Sequence, residues 1–79
     1  MRTTSPGLAV NGPALRAIRE RSGLTRADVG RAAGVAASTV SRAEVGLIRL
    51  TPPTLRAIAR ALAVPVTAIL ASPDDGEAA

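Results

Sequence analysis

The chain has 79 residues and a formal net charge of +4, and 47% of it is apolar with no Phe, Tyr or Trp. That length suits one small domain, near the lower limit at which a core holds without staples. The absence of cysteine excludes disulfides, zinc–thiolate sites and thiol chemistry, and the absence of His, Lys and Tyr removes the usual acids and bases of an enzyme.

Residues 1–11 hold Thr, Ser, Pro and Gly with little periodicity and predict a flexible N-terminal arm, with Leu8 and Val10 able to pack on the domain edge. A signal peptide's apolar stretch is missing there, and no segment approaches the roughly 18 apolar residues of a membrane span. A cytoplasmic protein without a membrane role is expected.

The domain itself is predicted over 12–71, as an all-α fold of five helices at about 13–22, 26–33, 36–44, 52–62 and 65–71. Asn11 or Gly12 can cap the first helix, and Pro13 sits where a first turn tolerates proline. Leu15 and Ile18 share its apolar face, and Gly23 ends it. Thr25 caps the second helix, with Asp28 three positions on completing a capping box. Val29 recurs with Ala32 or Ala33 at helical spacing, and Gly34 supplies the left-handed residue where that helix stops. After Val35 a third helix carries Ser38, Thr39, Val40, Ser41, Arg42 and Glu44 and ends at Gly46. Two short helices, a turn of about four residues containing Gly, and a polar outer face on the second describe a helix-turn-helix.

The following loop, Val45 to Leu50, is unusually apolar for a connection. Thr51 caps a fourth helix whose first turn takes Pro52 and Pro53, and Leu55, Ile58, Ala59 and Leu62 form its buried stripe. Pro65 opens a short fifth helix carrying Val66, Ile69 and Leu70, and 72–79 form a disordered acidic tail with Asp74, Asp75 and Glu77. Between Leu8 and Ala71 there are nine Arg against Glu20, Asp28 and Glu44, so the acid of the tail stands apart from a basic body. Such a body suits a polyanion, usually nucleic acid.

The run Leu15-Arg16-Ala17-Ile18-Arg19-Glu20-Arg21-Ser22-Gly23-Leu24-Thr25, with Val29-Gly30, Gly34-Val35, Ser38 to Arg42, Glu44 and Gly46, resembles the phage repressor and Cro class of helix-turn-helix regulators, also called the XRE class. Ile58 to Val64 and Ile69-Leu70 extend the likeness over roughly Pro13 to Ala71. The resemblance implies a repressor-like five-helix domain that binds double-stranded DNA as a homodimer on a two-fold operator, with no cofactor and no small-molecule ligand, in a bacterial or phage-infected cytosol. Half-sites about 34–36 Å apart would follow. An antitoxin or protein-interaction module that retains the fold is the alternative.

In that class the third helix lies in the major groove, and the base-reading positions fall here on Ala37, Ser38, Ser41 and Arg42. Arg42 can bond guanine O6 and N7 together, worth about 1–3 kcal/mol of discrimination. Ala37 stands where many relatives carry glutamine and leaves only a thymine methyl contact. Phosphate contacts are implied for Thr25, Arg26, Arg49 and Arg19, with Arg31 less strongly marked. Arg19 and Glu44 match a structural pair that joins the first helix to the end of the third. Gly30 stands where relatives have a small residue, letting helices two and three approach. Leu47, Ile48 and Leu50 replace residues that relatives use on phosphates; they are the candidate dimer interface, with completion of the core as the equal alternative. A low count of phosphate contacts predicts a shallow salt dependence.

Overall fold

A computed structural model describes residues 7–71. Its helices are α1 (Gly12–Arg21), α2 (Arg26–Ala33), α3 (Ala37–Glu44) and α4 (Pro52–Ala61), followed by a single 3₁₀ turn at Val66–Ala68. Three of the four helices begin where a side chain satisfies free N–H groups. Asn11 Oδ1 accepts the Ala14 N–H at 3.1 Å, and Pro13 in the first turn has no N–H to satisfy. At Thr25 the capping box is complete: the Asp28 N–H donates to Thr25 Oγ1 and the Thr25 N–H donates to Asp28 Oδ2, both at 2.9 Å. Thr51 Oγ1 accepts the Thr54 N–H at 3.4 Å ahead of α4. α3 alone among the four has no side-chain cap; Ala36 is extended at its N-cap, so the helix starts one residue later than its pattern predicts.

α2 lies at the centre, packed against α3 on one side and α4 on the other, while α1 packs on α3 and the 3₁₀ turn on α4. Leu15, Val29, Val40, Leu55, Ile58 and Ile69 are fully buried where these elements meet. Burial of that kind contributes about 1.5–3 kcal/mol per large aliphatic side chain. Gly30 makes the α2–α3 approach possible: a Cβ there would fall 2.6 Å from the Val35 carbonyl oxygen. The small residue expected at this position is required by the backbone of the turn itself.

Two expectations are corrected. The fifth helix predicted over 65–71 is only the 3₁₀ turn, because the backbone after it bonds elsewhere. Leu70 bridges to Val10, the Ile69 carbonyl accepts the Asn11 N–H at 2.8 Å, and the Ala71 N–H donates to the Ala9 carbonyl at 3.0 Å. Helix nucleation is costly, and three turn residues do not continue when the next carbonyls and amides have extended partners. The same bonds correct the arm: residues 8–11 are pinned, with Leu8 also bridged to Leu50 through hydrogen bonds of 2.7 and 3.1 Å. The rest of the predicted arm, 1–6, and the predicted acidic tail, 72–79, lie outside the described residues. No helix among the described residues is long and apolar enough to cross a membrane.

Candidate nucleic-acid interface

α3 has two faces set by its 3.6-residue period. Val40, Ala43 and Glu44 turn inward and are buried. Ala37, Ser38 and Arg42 are exposed and Ser41 is half-buried, so the four residues expected to read bases share the outer stripe. Val45, just past the helix, is exposed as well. Arg42 is the only charged side chain in this stripe, which otherwise offers two hydroxyls and small apolar groups.

Behind the stripe, Glu44 anchors an ionic cluster. Its side chain is 1% exposed and receives both nearby arginines. Arg19 Nε donates to Glu44 Oε2 and Arg19 Nη2 to Oε1, the latter at 3.3 Å, while Arg19 Nη1 donates to the Leu24 carbonyl at 2.9 Å. The bond to Glu44 and the carboxylate charge raise the Arg19 pKa further above its ordinary value, against the opposing effect of burial. Bidentate pairing of this kind fixes orientation as well as charge. The expected pair is therefore present, and it fastens α1 to the end of α3. The Arg19 guanidinium is buried and each of its nitrogens already has a partner.

Arg26 is the member of the cluster that reaches water. It opens α2, its Nε donates to Glu44 Oε1 at 3.1 Å, and its side chain is 43% exposed. Thr25, beside it, is exposed, although its hydroxyl already serves as the cap. Asp28 places a carboxylate at the same helix end. The Thr25 N–H, then Arg31, then the Thr25 hydroxyl hold its pKa down, from 3.8 to about 2. Arg31 Nη2 donates to that carboxylate at 2.8 Å, which weakens its candidacy for a phosphate. Arg49 is exposed and makes no ion pair among the described residues.

The apolar loop divides. Leu50 is 3% exposed and belongs to the core, so it cannot serve as a dimer surface; Ile48 is half-buried against that core; Leu47 is 72% exposed. The physical reason lies in the Leu8–Leu50 bridge, which seats Leu50 inward and leaves Leu47 on the far side of the turn.

Three features escaped the sequence reading. Gly12 was read only as a cap, yet a Cβ there would meet the Glu44 carbonyl oxygen at 2.1 Å, so α1 touches the end of α3 through backbone. The link from Arg26 to Glu44 spans 18 residues and two elements, and no local spacing announces it. The two bridges of Leu8 and Val10 likewise join distant segments, and the one available signal was the pair of apolar residues flanking Ala9.

A family model described as a helix-turn-helix domain matches residues 12–71. No curated protein matches the chain significantly. Among solved structures, the chain is similar to the restriction-modification controller protein C.AhdI from Aeromonas hydrophila, with a TM-score of 0.70 and 24% identity over 72% of this chain and 86% of that one. The clp gene regulator ClgR from C. glutamicum gives a TM-score of 0.66 and 28% identity over 71% and 73% of the two chains. The c2 repressor of P22, solved in complex with a synthetic operator, gives 0.69 and 24% over 80% and 89%.

Proposed function

The chain belongs to the helix-turn-helix domain family, and from that premise we propose that it is a transcriptional regulator that binds double-stranded DNA sequence-specifically, with α3 in the major groove. The observation that carries this reading is the division of α3: one face is locked into the core and onto Glu44, and the other presents Ser38, Ser41 and Arg42 to solvent. No side chain of the outer stripe makes a hydrogen bond or ion pair among the described residues, which leaves its polar groups free for a partner. Its single cation suits a guanine edge, its hydroxyls suit bases or phosphates, and Ala37 suits a thymine methyl. Thr25, Arg26 and Arg49 are the phosphate contacts of the proposal. The relationship to the P22 repressor, solved on its operator, favours duplex DNA over other polyanions.

A homodimer on a two-fold operator, acting as a repressor, completes the reading. Two copies are needed because one stripe of this composition carries few specific contacts, and pairing doubles them. Selection from a random duplex pool tests the proposal: it predicts an enriched palindrome with half-sites about one helical turn apart. Arg42→Ala then weakens binding to that site more than to random duplex, relaxing preference at one position in each half-site. Absence of duplex binding even at low salt would overturn the function, and enrichment of single half-sites would overturn the dimer.

A further inference from the structure

We propose that Glu44 is a positioning residue for DNA-backbone contact, holding Arg26 at the protein surface so that the placement of α3 and the grip on a phosphate are set by one carboxylate. The inference rests on the DNA-binding reading above and concerns how that binding is built.

Glu44 is buried with one negative charge and bonds two arginines, so the group is positive overall. Glu20 comes within 3.8 Å of Arg19, but its carboxylate lies at 3.0 Å from Arg16 Nε and is itself half-exposed. Glu20 also attracts Arg26, but its bonded partner is Arg16, and Arg26 remains the partner of Glu44 that reaches water. Arg19 has all three of its nitrogens bonded inside. Arg26 donates only through Nε, and its Nη1 and Nη2 have no acceptor among the described residues. A guanidinium held at Nε keeps its planar fork fixed, with less side-chain entropy left to lose when a second anion arrives. The phosphodiester is such an anion, and it takes the two terminal nitrogens side by side.

Glu44 is the last residue of α3, and Arg26 is the first of α2. In helix-turn-helix docking the helix before the recognition helix crosses the DNA backbone. One carboxylate thus connects the element in the groove to a cation beside the backbone. A phosphate pulling on Arg26 reports the position of α3, and a rotated α3 would take the anchor away.

A double-substitution cycle read by duplex binding at several salt concentrations tests this, using Arg26→Ala, Glu44→Gln and the pair. Arg26→Ala is expected to weaken binding about tenfold for operator and random duplex alike. It should lower the slope of log affinity against log salt by about one. Glu44→Gln should cost at least about threefold more in the natural chain than in the Arg26→Ala background. Arg26→Lys, which keeps charge but not the fork, should restore the slope without restoring the affinity. Strictly additive losses, or an unchanged salt slope for Arg26→Ala, would overturn the positioning role. Because Arg26→Ala leaves the Arg19–Glu44 pair in place, its result stands even if Glu44→Gln melts the domain. Wild-type protein that ignores duplex DNA altogether would instead defeat the function, a separately visible outcome.

Discussion

Gly12 at the start of α1 rests on the carbonyl of Glu44 at the end of α3, so closely that no side chain fits between them. The contact is backbone on backbone, and it sets how near α1 stands to α3. Glu44 is thus held twice, by its carbonyl against Gly12 and by its carboxylate against Arg19 and Arg26.

Gly12→Ala should consequently be destabilising even though alanine favours helix. The built Cβ lies 2.1 Å from one oxygen and 2.9 Å from the Ala43 carbonyl, distances that demand a backbone shift. Overpacking of this order costs about 1–3 kcal/mol or more. In a domain of this size each kcal/mol lowers Tm by about 4–8 °C. A thermal melt followed by circular dichroism reads it, and an unchanged Tm would show that α1 can slide off α3 freely.

Removing the carboxylate should be worse. Glu44→Ala leaves Arg19, 8% exposed, without its main acceptor, and breaking such a buried pair costs about 3–5 kcal/mol. That is a large part of what so small a domain holds. Arg16→Ala is the contrast: it breaks an exposed i,i+4 pair with Glu20 and should cost under about 0.5 kcal/mol. Denaturant titration of the two variants should separate them clearly, and equal midpoints would refute the assignment of Arg19–Glu44 to the frame.

What could be read from the sequence was whatever a few neighbouring residues decide. Thr25 and Asp28 form their capping box within four residues, and the buried stripe of Leu55, Ile58, Ala59 and Leu62 follows from one helical period. The outer stripe of α3 was implied by the family resemblance, and the helical period that buries Val40 agrees with it. The predicted fifth helix failed because its competitor was remote: nothing near Ile69 shows that Val10 will claim the backbone beside it. Leu47, Ile48 and Leu50 look alike as letters, and only the bridge from Leu8 sorts them into surface, margin and core. Arg19 stood in the sequence both as half of a structural pair and as a phosphate candidate, and only the fold shows it enclosed while Arg26 stays partly exposed.

Acid sensitivity should trace partly to Asp28. Its pKa falls from 3.8 to about 2 on folding, so the folded state favours the carboxylate. A depressed acid adds stability that is fully present above its unfolded value and fades as pH drops toward the folded one. Between pH 5 and pH 2 the natural chain should therefore lose more Tm than Asp28→Asn, while at pH 7 it should be the more stable of the two. Parallel melting curves across that window would exclude Asp28 as a contributor.

The divided loop makes a paired prediction. Leu50→Asp places a charge in the core and should abolish the cooperative melt. Leu47→Asp alters a side chain that is 72% exposed and should leave the helical signal intact. If Leu47 lies on the proposed dimer surface, sedimentation of this folded variant will give half the mass of the natural protein. Unchanged mass would place the interface elsewhere.

The bridges at Leu8 and Val10 close loops of about 40 and 60 residues, each entropically costly to bring together, the first tying the segment before α1 to Leu50 and the second tying it to Leu70. The paired segments therefore part together: releasing Ala9 also frees the amide of Ala71, and freeing Leu8 loosens the backbone of Leu50. Amide protons at these positions should exchange together, as a single cooperative unit, rather than with the graded protection of ordinary termini. Gly12 follows Ala9 by three residues and leans on Glu44, so opening of that unit should also loosen the seat of α3.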